Sequence, residues 1–273
     1  MLFDVQFSPA RCEWPHYRDA VLAAEAAGFS TIWTLDHLSG AAFSGDTMLE
    51  CFTLLGALGI ATSRIGLGSL VANTANRHPG LLAAAATTAQ TISDGRLLLG
   101  LGAGASPTSA FAGEQHVVGA PIAPTMAARH ALLQGTLDLL DTQWGEDRPD
   151  AWRGFPRANP VPPVLLGVNS RALARIAGTR TQGVNVRWNH PDRAELLGIA
   201  RDAHLANARS AGNDANDDWI SSVWAPWDQA LFDPEHPLHA VLAAEGVNRI
   251  ILAVFTPPDL DAIEQAGLAL SGR

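Results

Sequence analysis

Short apolar runs alternate eight times with longer stretches of helical spacing, and this alternation leaves the chain very few folds. The runs lie at 3–8, 31–36, 64–71, 96–103, 163–168, 183–188, 219–225 and 249–255. The helical stretches follow at 16–29, 48–62, 79–93, 125–144, 170–178, 192–212, 237–246 and 260–270. The segments at 97–101, 164–168 and 250–254 are apolar at successive positions rather than at alternate ones. Strands covered on both faces read this way, and parallel strands are the ones that helices cover. Helix punctuation agrees. Gly28 closes the first helix, Pro79 opens the third, and Ser170 stands at the N-cap of the fifth. Eight strand–helix units in 273 residues predict an α/β fold, a single-domain (β/α)8 barrel over 1–273 with reduced insertions. A doubly wound open sheet is the alternative.

Composition narrows the function. Hydrophobic residues make up 47% of the chain and charged ones 16%, enough apolar material for a large core. The net charge is −9, every basic residue is arginine, and no basic run occurs, which argues against a nucleic-acid partner. No apolar run approaches the roughly 20 residues of a membrane span, and the first residues lack a signal-peptide pattern. A cytoplasmic setting is therefore expected. Cys12 and Cys51 have neither metal-type spacing nor a disulfide framework. The stretch DPEHPLH at 233–239 holds two histidines and two acids, but proline breaks any helical spacing. No metal is expected there.

The glycines of GRLLLGLGAGAS, 95–106, bear on the chemistry. Gly100, Gly102 and Ala105 fit the permissive dinucleotide fingerprint. That loop should open a helix at once and meet an acid about 20 residues later. Here Pro107 follows, 115–137 holds no Asp or Glu, and the glycines close the fourth strand rather than the first. A barrel strand ending in bare main chain at Gly102, Ala103 and Gly104 fits better. A flat ring system can approach such a backbone closely. A plainer reading is that Gly102 and Gly104 only relieve crowding at the rim.

The segments WTLDHL (33–38), TSRIGLG (62–68), RHP (77–79) and SDGRLLLGLGAG (93–104), with PPVLLGVNSRALARIAG (162–178) and GVNRIIL (246–252), resemble the bacterial-luciferase-like flavin and deazaflavin oxidoreductases. The likeness is greatest to their coenzyme F420-dependent branch. It implies a barrel that holds the cofactor at the C-terminal ends of the strands. Asp36 and His37 match the family's catalytic Asp–His pair beside the redox ring. Leu70 and Val71 match the site of a non-proline cis peptide that backs the ring, and Asn73 a contact to its polar edge. Gly102, Ala103 and Gly104 match backbone contacts from strand four. Gly167, Val168, Asn169 and Ser170 match the segment that receives the cofactor phosphate, where a helix N-terminus suits an anion.

Such a protein would transfer hydride between F420 and a small organic substrate. His37 would handle the proton, and Asp36 would orient it or accept a hydrogen bond from the cofactor. Trp188, Trp224 and Trp227 would wall the substrate pocket. The resemblance also implies a homodimer, with the apolar helices at 48–62 and 79–93 as candidate faces. Two departures stand out. Ala105 occupies a position where some F420-dependent sugar-phosphate dehydrogenases carry a catalytic Glu. Val168, in GVNS, replaces part of a common Gly-Gly pair. An FMN-dependent monooxygenase on the same fold is the nearest alternative, and a non-catalytic ligand- or partner-binding barrel is another.

Overall fold

The computed structural model describes residues 1–210, 212 and 218–272. Strands β1 (Leu2–Phe7), β2 (Thr31–Thr34), β3 (Gly66–Asn73), β4 (Leu97–Gly102), β5 (Val164–Gly167), β6 (Gly183–Arg187), β7 (Ile220–Pro226) and β8 (Arg249–Val254) form a closed barrel in sequence order. Every neighbouring pair is parallel, including β1 with β8. The expected barrel is thus what the chain forms, and the open sheet is set aside. Helices α1 (Trp14–Ala26), α2 (Cys51–Ala61), α3 (Pro79–Ile92), α4 (Gly113–Val117), α5 (Met126–Trp144), α6 (Arg171–Arg180), α7 (Arg193–Ser210), α8 (Pro237–Ala244) and α9 (Leu260–Ser271) complete it. The helix expected over 192–212 is formed over Arg193–Ser210, and residue 211 of that expectation lies outside the described residues, as do 213–217 and 273 of the expected domain.

Boundaries moved for local reasons. The helix expected from 48 starts at Cys51, because the Glu50 side chain accepts the Thr53 N–H and caps it. The third strand runs on to Asn73 because it bulges. Ser69 pairs with Leu99 but Ala72 with Leu101, so β3 holds one extra residue. α4 lies in a stretch that shows no helical spacing.

The main core lies between barrel and helices. Phe3, Val5, Phe7, Ile32, Leu67, Leu99 and Ile250 point outward into it. The barrel interior is smaller and partly polar. Trp33, Leu70, Leu165 and Ile251 fill its middle. Below them Arg249 pairs with Asp4 at 2.7 Å and donates to Thr31 Oγ1, while Trp33 Nε1 donates to the same carboxylate. Burial pushes the Asp4 carboxyl up to about 6, against the lowering effects of Arg249, Trp33 and Thr31.

Several motif residues hold the N-terminal face of the barrel. Arg96 donates to the carbonyls of Gly59, Thr62 and Ile65, closing the end of α2. Glu25 accepts the N–H groups of Ser63, Arg64 and Ile65. TSRIGLG and SDGR therefore serve stability, as that face of a barrel usually does.

Candidate active site

A cavity of about 620 Å³ opens at the C-terminal ends of the strands. That is within the usual range for small-molecule sites, roughly 300–1,000 Å³. It gathers Asp36, His37, Leu70, Val71, Asn73, Gly102, Ala103, Gly104, Gly167, Val168 and Asn169 from segments spread over 130 residues of sequence. Ser170 stands just outside its lining and caps α6, its Oγ accepting the Leu173 N–H.

The Leu70–Val71 peptide is cis and lies in the β3 bulge. Gln6 Nε2 donates to the Leu70 carbonyl at 2.7 Å, and Trp224 Nε1 donates to Gln6 Oε1 at 2.7 Å. The bulge is thereby tied across the barrel to β7. A Cβ on Gly102 would lie 2.6 Å from Val71 Cγ2, and one on Gly167 would lie 3.0 Å from Val71 Cγ1. The bare main chain on either side thus seats Val71 itself. Gly104 adopts φ +85°, a conformation that disfavours any side chain.

Asp36 is buried and latches β2 to the turn after β3. Its carboxylate accepts two hydrogen bonds from Arg77, at 2.6 and 2.7 Å, and one from the Asn73 N–H at 2.7 Å. Arg77 also reaches Glu50 and lies 5.0 Å from the Phe52 ring centroid. Burial acts to lower the Arg77 guanidinium, but Asp36 outweighs it and holds it above its ordinary range. Asn73 Oδ1 accepts the Ala75 N–H, so this residue shapes the turn as well as lining the cavity.

The imidazole of His37 is held not by Asp36 but by Glu114. His37 Nδ1 lies 2.9 Å from Glu114 Oε1, and Glu114 Oε2 accepts the N–H groups of Leu38 and Ser39. Burial acts to raise the Glu114 carboxyl. The His37 hydrogen bond and charge and the two backbone donors outweigh it, so the carboxyl sits below its usual range. Phe43 and Phe111 flank His37 at 4.9 and 5.2 Å between ring centroids. Glu114 and Arg77 were absent from the sequence-based site. RHP supplied Arg77 only as part of a motif, and nothing local to Glu114 indicates its partner.

The other walls carry Arg129 and His130 from α5, Asn185 and Arg187 from β6, and Trp224 and Phe255. Burial and Arg129 beside it push the His130 imidazolium down. Of the three tryptophans expected here, Trp224 lines this cavity and Trp227 a second one beside α9, while Trp188 packs on the main core. No group of three or more metal-ligating side chains occurs among the described residues. Among the described residues no helix is long and apolar enough to cross a membrane.

A family model described as luciferase-like monooxygenase matches residues 5–217. An F420-dependent glucose-6-phosphate dehydrogenase of Nakamurella multipartita is 29% identical over 189 residues, 65% of this chain and 52% of that protein. A 5,10-methylenetetrahydromethanopterin reductase of Methanolobus tindarius is 28% identical over 225 residues, 78% of this chain and 61% of that one. The chain thus spans about half the length of the first of these relatives. Among solved structures, an F420-dependent secondary alcohol dehydrogenase bound to an F420–acetone adduct superimposes with TM-score 0.75. It has 16% identity, with 98% of each chain covered. The monooxygenase RslO1 of Streptomyces bottropensis gives 0.77 at 17%, over 100% of this chain and 98% of that one. At such identities these two likenesses speak for the fold.

Proposed function

The chain belongs to the luciferase-like monooxygenase family, and from that premise we propose that it is an F420-dependent oxidoreductase acting on a small organic molecule. The observation that carries this reading is the Leu70–Val71 bulge, walled by Gly102 and Gly167 and opening into the cavity. The lining suits a planar cofactor, with apolar side chains at Leu70 and Val71 and a glycine-rich segment at 102–104. A deazaflavin, when bound, supplies a ring carbon that gives or accepts hydride.

The chain's own residues do the rest. Leu70 and Val71 back one face of the ring. Gly102, Ala103 and Gly104 present backbone to its edge, with Asn73 beside them. Gly167, Val168, Asn169 and Ser170 lead toward the N-terminus of α6, whose partial positive charge suits the cofactor phosphate. His37 holds or releases the proton that balances hydride transfer. With Nδ1 committed to Glu114, that proton belongs on Nε2. Asp36 acts as a positioning residue, fixing the ends of β2 and β3 through Arg77 and Asn73.

The proposal includes one barrel domain, a cytoplasmic setting and a homodimer. Ile60 on α2 is 78% exposed and Leu81 on α3 is 61% exposed, which supports pairing through those helices.

Titration of the purified protein with F420 and with FMN, followed by absorbance, tests the reading. Saturable binding of F420 with a shifted spectrum, and none of FMN, is expected. Binding of FMN alone favours an FMN-dependent monooxygenase on the same fold. Binding of neither favours a non-catalytic barrel.

A further inference from the structure

A chain of net charge −9 lines its cavity with cations. Among the described residues that line it, Asp36 is the one carboxylate, and Arg77 already pairs with it. Arg129 and Arg187 face the same space with no ion-pair partner among the described residues. The two lie in different parts of the site. Arg129 rises from α5, and Arg187 ends β6 on the side of β7 and β8.

Arg187 is held in a particular way. Its guanidinium carbon lies 5.2 Å from the Trp224 ring centroid, a cation–π contact. Trp224 is itself fixed through Gln6 to the Leu70 carbonyl. A belt of rings continues from there. Trp224 meets Phe255 at 5.6 Å, Phe255 stacks on Phe43 at 6.4 Å and 11°, and Phe43 reaches His37 at 4.9 Å. The belt thus joins the candidate proton-handling residue at one end to a guanidinium without an ion-pair partner among the described residues at the other. With the planar cofactor assigned to β3, β4 and β5, this belt is one of the surfaces left for substrate, besides the α5 wall of Arg129 and His130, and it runs to His37.

We propose that the substrate is an organic acid, with an apolar body lying along the Phe43–Phe255–Trp224 belt and a carboxylate paired with Arg187. A guanidinium held over an indole still offers its planar N–H fork, which matches a carboxylate in two parallel hydrogen bonds. One guanidinium balances one negative charge, which favours a monoacid over a dianionic phosphate ester. The polar end is thereby anchored away from His37, so that the apolar body extends toward it. The inference rests on the cofactor placement proposed above.

Its test is calorimetric titration of the purified protein with cinnamate and with neutral cinnamamide, with and without saturating F420. Cinnamate is expected to bind at least tenfold more tightly, and less so as salt rises. Arg187→Gln should abolish the preference, and Arg187→Lys should keep part of it, which separates lost charge from lost fold. Equal affinity for the two probes, no saturable binding of cinnamate, or a preference that survives Arg187→Gln overturns the proposal. A preference abolished by Arg129→Gln and untouched by Arg187→Gln also overturns it. F420 binding is followed in the same samples. If F420 fails to bind while the Arg187-dependent preference persists, the carboxylate subsite is supported and the cofactor reading fails. If F420 binds and the probes are not distinguished, only the subsite fails.

Discussion

Glu114 Oε1 lies 2.9 Å from His37 Nδ1, across 77 positions of sequence, and the same carboxylate takes the N–H groups of Leu38 and Ser39. One half-buried acid therefore orders the loop after β2 and engages the imidazole at Nδ1. Glu114→Gln keeps the size and loses the charge. Charge-assisted hydrogen bonds are worth about 1.5–3 kcal/mol each, so a loss of about 2 kcal/mol in unfolding free energy is expected, with turnover falling further than F420 affinity. Urea denaturation and steady-state kinetics check the two parts.

The same residue carries a pH signature. The folded-state Glu114 carboxyl lies below its ordinary value of 4.5. The stability it contributes is present above that value and is lost as pH falls through the lower folded value. The difference in melting temperature between the native protein and Glu114→Gln should therefore be greatest at neutral pH and shrink in acid below about pH 4.5. Thermal melts across that range measure it.

Asp4 has the opposite sign. Its carboxyl is raised to about 6 in the folded barrel from 3.8. Between those values the folded chain holds a proton that the unfolded chain does not. This group therefore favours folding more as pH falls from 7 toward 4. Asp4→Asn should remove that gain. Chemical denaturation at pH 7 and pH 5 should show the native protein gaining on the variant at the lower pH.

The Asp36–Arg77 pair joins two strand ends rather than two charges at a surface. Removing one partner of a buried pair costs about 3–5 kcal/mol. Arg77→Met should cost an amount of that order and weaken F420 binding through Asn73, which donates to Asp36. Asp36→Asn combined with Arg77→Met should cost less than the sum of the two single changes. A double-mutant cycle by urea denaturation reads the coupling.

Gly102→Ala places a Cβ 2.6 Å from Val71 Cγ2, so the Val71 side chain must move. Overpacking of this kind costs about 1–3 kcal/mol. At the bulge it should appear as a rise of about tenfold or more in the F420 dissociation constant, with a smaller change in melting temperature.

The barrel was legible because its signal is local and repeated. The run Leu97–Leu101 and the run at 250–254 are apolar at every non-glycine position, and both became strands buried on two faces. The strand-end positions at 36–37, 70–71, 73, 102–104 and 167–169 followed from the same pattern and the family likeness, and the cavity brings them together. The pairing of His37 was not legible. Glu114 sits on a five-residue helix in a stretch without periodicity, and its partner is set by how two loops meet over the barrel. Asp36, adjacent to His37 in sequence, was the natural candidate. Its carboxylate is taken by Arg77 and the Asn73 N–H. Arg187 was missed for a similar reason, because its contact with Trp224 joins neighbouring strand ends and leaves no motif.

A crystal structure of the protein with F420 tests the central claim most directly. The deazaflavin ring should lie against Leu70 and Val71, its edge at the 102–104 backbone, its phosphate near α6 and His37 Nε2 within reach of the reacting carbon. A ring bound elsewhere on the barrel, or bound at this rim with Val71 displaced and His37 turned away, would contradict it.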